Sequence, residues 1–99
     1  MFFLREDINA GVTECRNTPG AVLLDVREAD EFAAGHIPEA VNLPLSRIAQ
    51  ASFDKRTPLF VYCLRGTRSR RAVGELRRMG YTNAKSIGGI ASYRGETER

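Results

Sequence analysis

The chain has 99 residues, 42% of them hydrophobic and 27% charged, which is the composition of one folded domain and excludes a disordered segment. Two cysteines exclude a disulfide scaffold, no C-x-x-C spacing marks a metal site, and no apolar run reaches the ~20 residues of a membrane helix. The formal charge of +3 is mild and the 12 acids are dispersed, so no uniform cationic face for nucleic acid is expected.

The opening Met-Phe-Phe-Leu-Arg-Glu-Asp turns charged too early for a signal peptide, so a reducing, cytoplasmic setting with free thiols is expected. Residues 7–18 read as a short helix that Asp7 can cap, with Ile8, Val12 and Cys15 on one face. Thr18-Pro19-Gly20 stops it. Residues 21–26 are a continuous apolar run ending in Asp25 and Val26, the pattern of a strand buried on both faces. Residues 28–34 are helical in pattern and closed by Gly35. Residues 38–44 alternate apolar and polar between two prolines, so any strand there is short. A helical turn or two is expected over 45–51, and a second buried strand over 59–62.

The short loop 63–68 precedes a helix over 69–79, with Ala72, Val73, Leu76 and Met79 inward and Gly80 at its end. A last strand over 84–87 runs into Gly88-Gly89. Strands alternating with helices give an α/β chain, a parallel sheet with helices on both faces, over a single domain spanning 1–99.

The segment Leu59-Phe-Val-Tyr-Cys-Leu-Arg-Gly-Thr-Arg-Ser69 carries the chemistry. It is a strand, a cysteine, a tight loop and a helix. In an open α/β sheet ligands bind beyond the carboxyl ends of strands, which is where Cys63 falls. A compact loop entering a helix turns its N–H groups inward as a nest for an anion, and Gly66 supplies the positive φ such a curl needs. The first anion held there would be the Cys63 thiolate, stabilised by the nest and by nearby arginines, with a lowered thiol pKa. A lone cysteine after an apolar strand is often a small core residue. The Cys-x-x-Gly-x-Arg pattern that opens a helix makes the nucleophile the better reading here. Cys15 lacks that setting and reads as core.

Six arginines and one acid, Glu75, lie between Arg65 and Arg78. Arg70 and Arg71 in the first turn of a helix are electrostatically unfavourable, so they serve either an anionic substrate or only a solvated face. Arg68, inside the loop, reads as an electrostatic clamp.

The chain resembles single-domain rhodaneses, the thiosulfate sulfurtransferase-like proteins. The resemblance rests on Leu23-Leu-Asp-Val-Arg-Glu28, Glu31-Phe-Ala-Ala-Gly-His-Ile-Pro38, Ala40-Val-Asn-Leu-Pro44, Tyr62-Cys-Leu-Arg-Gly-Thr-Arg-Ser69 and Gly88-Gly-Ile90. It implies a three-layer α/β/α fold with a five-stranded parallel sheet. It implies that Cys63 takes sulfane sulfur from thiosulfate or a similar small anionic donor as a persulfide. The acceptor would be cyanide in the test tube, or a thiol or partner protein in the cell. Neither metal nor organic cofactor is needed. Leu64, Arg65, Gly66, Thr67 and Arg68 would hold the anion, with Ser69 supporting.

The acid and base of the Asp25–Arg27 motif would help to orient the edge of the site. Asp25 could equally be a structural acceptor, and Arg27 could contact substrate or lie at the surface. His36 in its Gly-His-Ile-Pro turn is structural by the resemblance. Tyr93 stands where many relatives carry an aromatic, often Trp, that borders the pocket or packs, and the last helix is expected to be short. Related cysteine phosphatases carry one residue more between Cys and Arg; the four here favour sulfur over a phosphoryl group. The competing readings are an interaction module with incidental activity and a sulfur carrier fed by a partner protein.

Overall fold

A computed structural model describes residues 6–99. The elements in chain order are helix α1 (Ile8–Arg16), strand β1 (Val22–Asp25), helix α2 (Ala29–Ala34), strand β2 (Val41–Asn42) and a 3-10 turn (Leu45–Gln50). Strand β3 (Leu59–Cys63), helix α3 (Thr67–Arg78), strand β4 (Ala84–Gly89) and a final 3-10 turn (Ile90–Ser92) complete the order. Asp7 caps α1, its carboxylate accepting from the N–H groups of Asn9 and Ala10. Helix α3 starts two residues earlier than its apolar pattern suggested, directly after Gly66.

The strands are all parallel, in the order β2-β1-β3-β4. The chain moves outward from β1 to β2, then crosses back to β3 on the other side of β1. Cys63 therefore ends the strand at the point where winding reverses, the place where such sheets open a crevice. β2 is only two residues long because Pro38 and Pro44 flank it and lack a ladder donor.

Four strands are seen among the described residues, not the five expected. The main chain of Glu6 and Ile8 instead passes beside Gly88 on β4, each lying 3.7 Å from where a Cβ there would stand. That approach leads into α1, which packs across the sheet rather than pairing with it.

The period-2 alternation of β3 divides the core. Leu59, Val61 and Cys63 face α3 and the first 3-10 turn, together with Leu24, Val26, Ile48, Ala72, Leu76 and Tyr81. Phe60 and Tyr62 face α1, with Ile8, Val12, Cys15, Leu23, Ile37 and Ile87. Cys63 is thus aimed toward α3, and Cys15 belongs to the opposite layer.

The α1 layer leaves no room at Gly11, where a Cβ would stand 2.5 Å from Ile87 Cβ. Gly11→Ala forces α1 off β4. Chemical denaturation should show a loss of about 1–3 kcal/mol, as for overpacked cores. An unchanged midpoint would contradict this packing.

Candidate active site

Gly66 adopts φ 101°, ψ −17°, in the left-handed region, immediately before the first turn of α3. That conformation, open to glycine and strained for other residues, reverses the chain within three residues of Cys63. The N–H of Gly66 then donates to Cys63 Sγ at 3.0 Å and that of Ser69 at 3.3 Å. The Ser69 hydroxyl lies 3.6 Å from the same sulfur.

The loop rests on Gly89 at the end of β4. A Cβ there would stand 2.1 Å from Leu64 O, and the N–H of Ala91 donates to that same oxygen at 3.1 Å. Gly88-Gly89, quoted in the sequence for its place after a strand, is in space the floor under the loop.

Cys63 is 1% exposed and sits at the base of a cavity of about 190 Å³ lined by Cys63, Leu64, Arg65, Thr67 and Arg68. Burial by itself pushes its thiol up. The N–H and hydroxyl of Ser69 and the N–H groups of Gly66 and Arg65 outweigh burial and bring the pKa below its ordinary value. The direction matches the sequence argument, which named both the nest and the arginines. The donors of the nest lead, not the arginines.

Arg68 is not free. Its guanidinium forms a two-pronged pair with Glu31 of α2, at 2.7 and 3.1 Å. The charged hydrogen bonds from Arg68 lower the Glu31 carboxyl to about 2, with further help from the Glu28 N–H. Glu31 escaped attention because a sequence does not show which acid will answer an arginine 37 positions away. Arg70 pairs with Glu6 at 2.8 Å. Arg65 and Arg71 are exposed, and Arg65 also borders a larger groove of about 800 Å³ with Glu6, Asn9, Arg70, Gly88 and Arg94.

Arg27, expected to contact substrate or to lie at the surface, does not line the cavity and is buried. It is 5% exposed, folded onto Asp25 through bonds of 2.7 to 3.1 Å, and donates to Gly35 O at 2.8 Å. Asp25 also accepts the Arg27 N–H at 2.9 Å. Asn42 ties the pair to β2 through the carbonyls of Asp25 and Arg27. The pair stiffens the strand end next to Cys63 and does not reach the cavity.

His36 is remote from the sulfur. Its Nδ1 bonds Phe32 O at 2.9 Å and its ring stacks on Phe32 at 3.7 Å. Tyr93 packs on the α1 layer rather than bordering the cavity. Cys15 is buried, and burial raises its thiol pKa, the reverse of Cys63. Among the described residues no group of His, Cys, Asp and Glu is gathered to hold a metal ion, and no helix is long and apolar enough to cross a membrane.

The model of the rhodanese-like domain matches residues 10–96. The chain belongs to the rhodanese family.

It is 42% identical over 79 residues to the uncharacterized protein YqhL of Bacillus subtilis, covering 77% of this chain and 63% of that protein. It is 40% identical over 72 residues to the thiosulfate sulfurtransferase GlpE of Pseudomonas savastanoi, covering 71% and 68%. A solved structure described as a rhodanese with anions from E. coli superposes with a TM-score of 0.71 at 30% identity, over 80% of this chain and 98% of that one. These relationships support a sulfurtransferase of the rhodanese family.

The depressed Glu31 carboxyl has a pH signature. Its pKa lies below the ordinary 4.5, so the pair stabilises the fold fully above about 4.5. That stability is lost as pH falls through about 2. Acid titration of folding stability should show a gap between wild type and Glu31→Gln that is constant at neutral pH and closes across this window. A gap independent of pH would remove the ion pair from the account.

Proposed function

We propose that the chain moves sulfane sulfur from thiosulfate, or a similar small anionic donor, to a thiophilic acceptor through a persulfide on Cys63. The observation that carries this reading is the pair of N–H groups converging on Sγ at the base of a small cavity. In the first step the thiolate of Cys63 attacks the outer sulfur of thiosulfate, the S–S bond breaks, and sulfite leaves with its electron pair. The product is Cys63–S–S⁻. In the second step cyanide or an acceptor thiolate attacks the terminal sulfur, leaves as thiocyanate or a new persulfide, and returns the Cys63 thiolate. Total charge is unchanged in each step, and the reaction is of the two-step covalent kind.

Sγ is poised for the first step by fixed main-chain dipoles that need no reorganisation. Leu64 and Thr67 shape the cavity, while Arg65 and Arg68 set a positive rim toward an incoming anion. The rim of Arg68 is tempered by Glu31, so attraction of a dianion falls chiefly to Arg65. Among the described residues no carboxylate lines this cavity, so none of them is placed as a general acid for a phosphoryl leaving group. That weighs against a phosphatase.

A sulfur carrier fed by a partner protein uses the same cysteine. A groove of about 800 Å³ shares Arg65 with the cavity and would offer such a partner a place beside the loop. The nest on Cys63 would be superfluous in a module that only docks, which is why sulfur transfer is preferred.

Intact mass after brief thiosulfate treatment tests the reading. Wild type and Cys15→Ser should each gain one sulfur, removed by cyanide, and Cys63→Ser should gain none. Gain by Cys63→Ser, or none by wild type with thiosulfate, 3-mercaptopyruvate or a cysteine desulfurase as donor, would overturn it.

A further inference from the structure

We infer that Ser86 on β4 is a positioning residue for Cys63, acting through the Ser69 hydroxyl. The inference rests on the reading of Cys63 as the nucleophile.

Ser69 is 0% exposed. Three polar atoms surround its Oγ: Ser86 Oγ at 2.7 Å, Gly66 O at 3.0 Å and Cys63 Sγ at 3.6 Å. A hydroxyl has one proton to give and two lone pairs to receive. Ser69 can therefore donate to Gly66 O or to Cys63 Sγ, but not to both.

With Cys63 as a thiol, its S–H donates to Ser69 Oγ and Ser69 donates to Gly66 O. With Cys63 as a thiolate, the sulfur is acceptor only, and the Ser69 proton turns toward it. Gly66 O is not abandoned by this turn, because the N–H of Arg70 already donates to it at 3.1 Å. Reorienting Ser69 thus leaves no buried acceptor unpaired.

Ser86 decides whether the Ser69 proton is available. When Ser86 donates to Ser69 Oγ, the Ser69 proton cannot lie along the contact with β4, and the bond polarises Ser69 into a stronger donor. Among the described residues Ser86 Oγ has no other hydrogen-bond partner. The strand places it for this one contact. Lys85 and Ile87 face α1, Ala84 and Ser86 face α3, and the β3–β4 register shifts directly after the Val61–Ser86 pair.

The charged groups on elements around Cys63 are Arg65 and Arg68 on the loop and α3, Glu31 on α2, and Asp25 with Arg27 at the end of β1. None is hydrogen-bonded to Ser86, so a change there leaves them in place.

The test is the pH dependence of Cys63 alkylation by iodoacetamide, in a Cys15→Ser background so that one thiol reports. Ser86→Ala should raise the midpoint by about 0.5, which is about threefold slower alkylation below the midpoint. Ser69→Ala should raise it too, and adding Ser86→Ala to Ser69→Ala should raise it no further. Ser86→Thr, which keeps the hydroxyl, should hold the wild-type midpoint. An unchanged midpoint in Ser86→Ala, an equal further rise in the Ser69→Ala background, or a raised midpoint in Ser86→Thr overturns the inference. Alkylation needs no sulfur donor, so failure of this relay and failure of sulfur transfer are read separately.

Discussion

The structure turns on one requirement: a sulfur anion removed from water must be solvated by the protein itself. Cys63 is buried at a strand end, and burial alone would keep it a thiol. The remedy is geometric. Gly66 reverses the chain, so that its own N–H and that of Ser69 point at one atom. Gly89 lets the turn settle directly on β4, where any Cβ would strike Leu64 O. The residues between Cys63 and α3 are thus fixed less by what their side chains do than by where their backbone must go.

The arginines around the loop look, in the sequence, like a cluster waiting for an anion. In the fold they are largely answered. Arg68 meets Glu31 from α2, and Arg70 meets Glu6 ahead of α1. Both contacts relieve the conflict between cations and the positive end of α3. They also tie the mouth of the loop to two other elements, and they leave Arg65 as the exposed cation shared by the cavity and the neighbouring groove. A charge run that reads as function by composition is divided by the fold between bracing and reception.

What the sequence disclosed follows the same division. Local signals carried well: Asp7 as cap, the apolar runs of β1 and β3, the loop after Cys63 and the inward face of α3 each depend on neighbours in the chain. The family motifs pointed to Cys63 before any geometry. The direction of the Cys63 shift was readable, because a nest needs only a glycine and a helix start. The precedence of the nest over the arginines was not, since that depended on which donors reach the sulfur. Glu31 and Ser86 were invisible as partners because they approach from 37 and 17 positions away from Arg68 and Ser69. Arg27 misled for the opposite reason. A nearby acid, two residues off, captured its guanidinium and drew it into the protein.

The placement of the donors also bears on why a persulfide here would be a carrier rather than a trap. The shortest bond and the fixed N–H groups are aimed at Sγ, the atom that holds the charge before sulfur is taken up. In Cys63–S–S⁻ the charge sits one atom farther out, toward the rim where Arg65 and Arg68 stand. Fixed donors favour the state whose charge they meet, so in the proposed cycle the N–H groups of Gly66 and Ser69 would stabilise the Cys63 thiolate. When the acceptor attacks in that proposed cycle, the leaving thiolate would depart into a nest already built for it. A loop that held the outer sulfur as tightly as the inner one would load readily and discharge slowly.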